Sequence, residues 1–242
     1  MKTAIIVPAR LASQRFPRKL LHLVDGKPIV LWTAERIRQE APEYPLYFAV
    51  GEPELAETLS AAGYETVLTD PDLPSGTDRI AAANETIGAD RVLNVQADEP
   101  LISGTDIRLL DRLLDGQADL ATVATPFHSA EEFADSARVK VVCGRQGQAL
   151  YFSRAGIPFE RNAPADSYQK SLRHIGLYGY TAAFLRAFAG LPVGTLEQIE
   201  KLEQLRALEN GYRIAVGIVD AAGIGIDTPA DLEAFTRARA AR

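Results

Sequence analysis

Four short runs in the first hundred residues constrain the fold most. Thr3-Ala4-Ile5-Ile6-Val7, Leu46 to Val50, Thr66 to Thr69 and Arg91 to Gln96 are apolar and do not alternate with polar residues. A strand wetted on one face alternates, whereas a continuous apolar run is buried on both. Helical patterns separate the runs: Pro28 to about Glu40, Pro53 to Ala62 closed by Gly63, and about Thr77 to Ile87. The order β-α-β-α-β-α-β predicts a parallel sheet covered by helices on both faces. If the strand order begins 3-2-1-4, the first and fourth strands are neighbours and a ligand crevice opens at their C-terminal ends.

The second half reads differently. Val139 to Cys143 and Ala149 to Phe152 flank a glycine-containing turn, which predicts a hairpin. His174 to Tyr180 is a further strand, with Tyr178 and Tyr180 on one face. The spacing of Leu196, Ile199, Leu202, Leu205 and Leu208 predicts one helix over 195–210, with a Thr195–Gln198 capping box and Gly211 as its stop. Arg213 to Val219 is a late strand, and Thr228-Pro229-Ala230-Asp231 opens the last helix. The reading is a single domain over 1–242, with an excursion at about 127–180 that contains the hairpin.

The chain has 242 residues, 47% of them hydrophobic and 24% charged, enough apolar material for a sizeable core. Its formal net charge of −6 argues against broad affinity for nucleic acid or an anionic membrane. Cys143 is the one cysteine, so no intrachain disulfide forms, and its apolar run marks a packed strand residue. Met1-Lys2 leads into an apolar run too short for a secretory signal, and no run is long enough to span a membrane. The expected setting is cytoplasmic.

Against this acidic background, Pro8-Ala9-Arg10-Leu11-Ala12-Ser13-Gln14-Arg15-Phe16-Pro17-Arg18-Lys19 concentrates four cations directly after the first strand. Guanidinium forks and a lysine point charge suit phosphate oxygens. The loop is neither a Walker loop nor GxGxxG. Asp98, with Glu99 beside it, follows the fourth strand; with the 3-2-1-4 order Asp98 faces the same crevice, the alternative for either acid being a helix cap or loop position before Pro100. A carboxylate beside phosphates is explained by a shared Mg²⁺, which takes one or two carboxylates plus phosphate oxygens. Asp227 is the candidate second carboxylate, although a helix N-terminus would also attract an acid there. On a straight 195–210 helix, Glu203 and Arg206 edge the apolar face, as an i,i+3 pair or with Glu203 aimed at a ligand. His174 stays equally open between a structural and a ligand role.

The stretches "IIVPARLASQRFPRKLL" (5–21), "SGTDRIA" (75–81), "NVQADEP" (94–100), "ALYFSRAGIPF" (149–159), "RHIGLYGY" (173–180), "LEQIEKLEQLRALENG" (196–211) and "GIDTPADL" (225–232) together resemble the 3-deoxy-manno-octulosonate cytidylyltransferase (CMP-Kdo synthetase) family. The resemblance spans nearly the whole chain. It implies a Rossmann-like nucleotidyltransferase fold, an α/β architecture with a mixed, mostly parallel sheet and a homodimer formed with the hairpin region. It implies CTP along Pro8, Ala9 and Arg10, with Arg10 and Lys19 on its phosphates and Ser75, Gly76, Arg79 and Gln96 around the nucleotide. Asp98 and Asp227 match Mg²⁺-binding carboxylates. Gln96, Arg154, His174, Tyr178, Glu203 and Gln204 match positions around the sugar acid. The implied reaction makes CMP-Kdo and pyrophosphate for lipopolysaccharide biosynthesis.

The chain departs from the family at two places. Ala97 stands where glycine is usual, and Ser136-Ala137 where Pro-Asn is usual. We expect ordinary backbone at Ala97, since Gln96 and Asp98 flank it unchanged; the change at 136–137 alters sugar specificity or only loop shape. Two rival readings remain: a cytidylyltransferase for an 8-amino Kdo analogue or a sialic acid, and a nucleotide-binding dimer without catalysis.

Overall fold

The structure, a computed structural model, describes all residues except 13–15, 117, 163–166, 221–222, 224, 227 and 241–242. The chain packs into two compact units, Met1–Arg108 with Gly223–Arg242, and Leu109–Ala222.

The first unit contains β1 (Thr3–Ala9), β2 (Leu23–Val24), β3 (Lys27–Pro28), β4 (Leu46–Val50), β5 (Glu65–Leu68) and β6 (Arg91–Asn94). Its helices are α1 (Ile29–Glu40), α2 (Pro53–Ala61), α3 (Gly76–Ile87), the start of α4 (Gly104–Leu113), and the C-terminal α9 (Pro229–Ala240). The order β5-β4-β1-β6 is parallel throughout, with Ile5 beside both Leu46 and Leu93. This is the 3-2-1-4 arrangement on which the crevice between the first and fourth strands depends. Ile5, Ile6, Val7, Val92 and Leu93 are fully buried, which is why these strands show no polar alternation. Gly63 and Gly88 end α2 and α3 with positive φ. The short β2–β3 hairpin is absent from the sequence reading. Its signal is the pair Asp25-Gly26, whose φ values of 49° and 77° are those of a type I′ turn.

The second unit contains the end of α4, β7 (Leu120–Pro126), α5 (Ala130–Ala134), β8 (Lys140–Cys143), β9 (Ala149–Ser153), β10 (Leu172–Thr181), α6 (Ala182–Phe188), α7 (Thr195–Glu200), α8 (Gln204–Glu209) and β11 (Ile214–Ile218). β8 and β9 form the expected antiparallel hairpin; β10 runs antiparallel to β7 and β8, and β11 parallel to β7. Cys143 lies in β8, and burial raises its thiol pKa. Among the described residues no helix is long and apolar enough to cross a membrane.

One expectation is corrected. The segment 195–210 is two helices, α7 and α8, with Lys201 left-handed at φ 53° between them. The cause is a long-range cap: both carboxylate oxygens of Glu209 accept from the Leu196 amide at 3.1 Å. That carboxylate occupies the space a Cβ at Gly194 would need, only 1.8 Å from Glu209 Oε2, so the N-cap is Gly194. Glu197, not Gln198, reaches back to the Gly194 amide. The break also ends the continuous apolar face. Leu202 and Leu205 are buried, while Ile199 is 72% exposed. Arg206 places its Nε and Nη2 each 2.7 Å from the Glu197 carboxylate, a bidentate pair made across the break.

Candidate active site

In the first unit, the chemistry collects where β1 and β6 end side by side. Arg10 is exposed at the end of β1, and the next amide, Leu11 N–H, donates to Glu52 Oε1 at 3.0 Å. Arg18 is held left-handed at φ 55° and turns the chain into the single helical turn that carries Lys19. Lys19 Nζ donates to Asp98 Oδ2 in a close ion pair, with both side chains largely sheltered. The Asp98 carbonyl accepts from the Ile226 amide at 2.9 Å, so the loop after β6 is held through the backbone as well. The candidate phosphate-binding cation and the candidate metal carboxylate are thus brought together. Glu99, unassigned from sequence, lies against Gly223 and Gly225: a Cβ at Gly225 would come within 2.7 Å of its Oε1. Asp227 lies outside the described residues.

Ser75 and Gly76 open α3. The Ser75 hydroxyl accepts from Asp78 N–H at 3.1 Å and donates to the Asp78 carboxylate at 2.7 Å. A Cβ at Gly76 would sit 3.6 Å from Pro8, which brings this helix start against the first loop. Amide-rich helix starts receive anions. Arg79, by contrast, is 2% exposed and bonds Thr69 Oγ1 at 2.5 Å and the Pro71 carbonyl at 3.2 Å. Burial lowers its pKa, with Glu52 opposing the shift. Gly51 makes room for it, since a Cβ there would lie 2.8 Å from Arg79 Nη1. Arg79 therefore braces the loop before Ser75. Gln96 donates to Asn94 Oδ1 at 3.3 Å. Ala97 is buried and has no positive φ, so alanine sits in ordinary backbone as expected.

The second unit gathers His174, Tyr178 and Glu203. In a regular strand, residues four apart are roughly 13 Å distant. The β10–β7 register slips between Ile175 and Tyr178, and this bulge brings the His174 and Tyr178 rings to 5.4 Å. Thr122 Oγ1 spans the bulge, donating to the Leu177 carbonyl at 2.8 Å and lying 2.9 Å from His174 Nε2. The same hydroxyl lies 3.2 Å from the Ile175 carbonyl, so one oxygen ties His174 to both sides of the bulge. Phe152 packs edge-on against the imidazole at 5.0 Å. The residue as a whole is only partly buried, yet burial of the imidazole holds its pKa down from 6.5 to about 3. His174 is thus neutral at physiological pH and a weak base. Burial foremost, then Tyr180 and Glu203, raises the Tyr178 pKa well above 10, leaving a protonated donor. Gln204 is buried at the start of α8.

The low His174 pKa has a thermodynamic consequence. A group neutral when folded but protonated when unfolded withdraws stability as pH falls below its unfolded value. Unfolding free energy is therefore expected to drop by up to about 1.4 kcal/mol per pH unit between pH 6.5 and about 3 from this residue. Urea titrations across that range are expected to show a flatter pH dependence in His174→Gln; an unchanged slope would remove His174 as its source.

Arg154 follows β9 and is locked by carbonyls. Its Nε donates to Glu200 O at 2.8 Å, Nη1 to Ser136 O at 3.2 Å and Nη2 to Lys201 O at 3.4 Å. The turn at 136–137 addresses Arg154 through backbone, which a side-chain change leaves intact. The sequence reading missed several supports: Glu52, Thr122, Glu200 and Lys140. Lys140 carried a signal, as the one charge in the run Val139–Cys143.

No three or more His, Cys, Asp or Glu side chains among the described residues form a metal cluster. Mg²⁺ is commonly held by one or two carboxylates plus substrate phosphates. Asp98 fits that role: it retains some surface, and its Lys19 partner can transfer to a phosphate oxygen.

The cytidylyltransferase family profile matches residues 4–214. A 3-deoxy-manno-octulosonate cytidylyltransferase from an Anaeromyxobacter species is 43% identical over 241 residues, covering 99% of this chain and 96% of that protein. Its counterpart from Syntrophobacter fumaroxidans is 44% identical over 239 residues, covering 97% and 95%. The solved structure of CMP:2-keto-3-deoxy-manno-octonic acid synthetase complexed with CTP superposes with a TM-score of 0.93 at 37% identity, covering 100% of this chain and 99% of that one. The mixed, mostly parallel α/β fold expected from the sequence is the fold of that structure. The chain belongs to the 3-deoxy-manno-octulosonate cytidylyltransferase family.

Proposed function

We propose that the protein transfers CMP from CTP to Kdo, with Mg²⁺, giving CMP-Kdo and pyrophosphate for lipopolysaccharide biosynthesis. The observation that carries this reading is the Lys19–Asp98 pair at the ends of neighbouring parallel strands. The anomeric oxygen of Kdo bonds to the α-phosphorus of CTP as the bond to the pyrophosphate oxygen breaks. Lys19 and Arg10 receive the charge that builds on pyrophosphate, and the α3 start with Ser75 and Gly76 holds the nucleotide. Asp98 and Asp227 would hold Mg²⁺, which when bound neutralises phosphate charge and acidifies the sugar hydroxyl.

His174, Tyr178, Glu203 and Gln204 offer neutral and anionic hydrogen-bonding groups to the sugar, and the Arg154 fork suits its carboxylate. His174 is too weak a base to take the hydroxyl proton at neutral pH. Both units form one cytidylyltransferase domain in this reading, in a cytoplasmic homodimer. The exposed Leu150 and Phe159 around the hairpin support such an interface. The test is pyrophosphate release from CTP and Mg²⁺ across a panel of sugar acids. Kdo is expected to give the highest kcat/KM. Preference for an 8-amino analogue or a sialic acid would replace the substrate, and release with none would leave a binding protein.

A further inference from the structure

Lys140 is the most deeply buried cation among the described residues, with 0% exposure, and no step above uses it. Its Nζ donates to Asp135 O at 2.8 Å and to Arg154 O at 3.0 Å. The rings of Phe133 and Phe127 lie 5.6 and 5.9 Å from the same nitrogen. Register fixes it there: Lys140 pairs with Ser153 across the β8–β9 hairpin and with Arg173 on β10. Burial pushes its pKa down, with Asp135 opposing the shift.

A buried ammonium whose hydrogen bonds go to carbonyls carries a desolvation cost that a methionine of similar shape avoids. What the ammonium adds is direction. One of its carbonyls belongs to Arg154 itself; the other belongs to Asp135, next to Ser136, whose carbonyl receives Arg154 Nη1. Lys140 therefore clamps the arginine's backbone and the turn that its fork rests on. Glu200 completes the frame, accepting from Arg154 N–H at 2.9 Å and from the Ser153 hydroxyl at 2.5 Å. The fork itself donates to carbonyls, and each terminal nitrogen carries a second N–H for a carboxylate.

We infer that Lys140 is a positioning residue for sugar-acid recognition, holding Arg154 and the 135–136 turn so that the guanidinium presents those N–H groups in one orientation. The inference rests on the reading of Arg154 as the carboxylate partner. Steady-state kinetics of Lys140→Met, Arg154→Ala and the double variant test it, with circular dichroism and melting as folding controls. Lys140→Met is expected to raise the KM for Kdo by about 10-fold while the KM for CTP stays within about twofold, and to add little in the Arg154→Ala background. Additive losses, or an unchanged KM for Kdo where Arg154→Ala is impaired, overturn the positioning role alone. An unchanged KM for Kdo in Arg154→Ala removes the carboxylate reading and the inference with it. Lys140→Leu, which likewise removes the donor, is read the same way if the methionine variant does not fold.

Discussion

Asp98→Ala is expected to lower kcat by at least ~10²-fold, equivalent to about 2.7 kcal/mol of transition-state stabilisation. The reason is local. The Asp98 carboxylate pairs with Lys19, and in the proposed reaction it helps bring a cation to the phosphates. Its contribution to the fold runs through a different atom, the carbonyl that accepts from Ile226, and alanine retains that bond. The melting temperature is therefore expected to change little while turnover collapses. Asp227→Ala is expected to show a loss of the same order. Near-wild-type turnover in either variant would withdraw that carboxylate from the metal role.

Phe235→Ala is expected to cost about 3–5 kcal/mol in unfolding free energy. Phe235 is 1% exposed and packs with Val24, Ile29 and Ile226, with Phe16, Trp32, Leu101 and Leu232 around them. Its ring meets Trp32 edge-on at 6.1 Å. This cluster joins α9 to the β2–β3 hairpin, and it includes Ile226, whose amide holds the Asp98 loop. A cavity there is expected to raise the KM for CTP along with the loss of stability. Urea denaturation at constant m-value reads the first effect. A cost below about 1 kcal/mol would mean that the cluster closes over the gap.

Much of the site was legible because its residues sit at places that local rules identify. Lys19 and Arg10 stand out as cations after a strand in an acidic chain, and Asp98 as an acid after the neighbouring strand. Once the order β5-β4-β1-β6 holds, those two strand ends are adjacent. The last helix was equally readable: Thr228 Oγ1 accepts from Asp231 N–H at 3.3 Å, and the Asp231 carboxylate accepts from Thr228 N–H at 2.8 Å. The 195–210 segment failed for a physical reason. Its apolar spacing is that of a helix, but the carboxylate that caps α7 is Glu209, thirteen residues beyond Leu196.

The sequence by itself determined the alternating elements, the parallel character of the first unit's strands and the residues that end them. Those follow from short-range chemistry: apolar periodicity, turn residues, caps and contrast of charge. Tertiary structure decided how residues distant in sequence share space. The slip in β10 brings His174 to Tyr178, Thr122 from another strand meets the histidine's Nε2, and Lys140 grips the carbonyl of Arg154. Each depends on register between strands, and a slip that rearranges a site leaves the order of apolar residues unchanged.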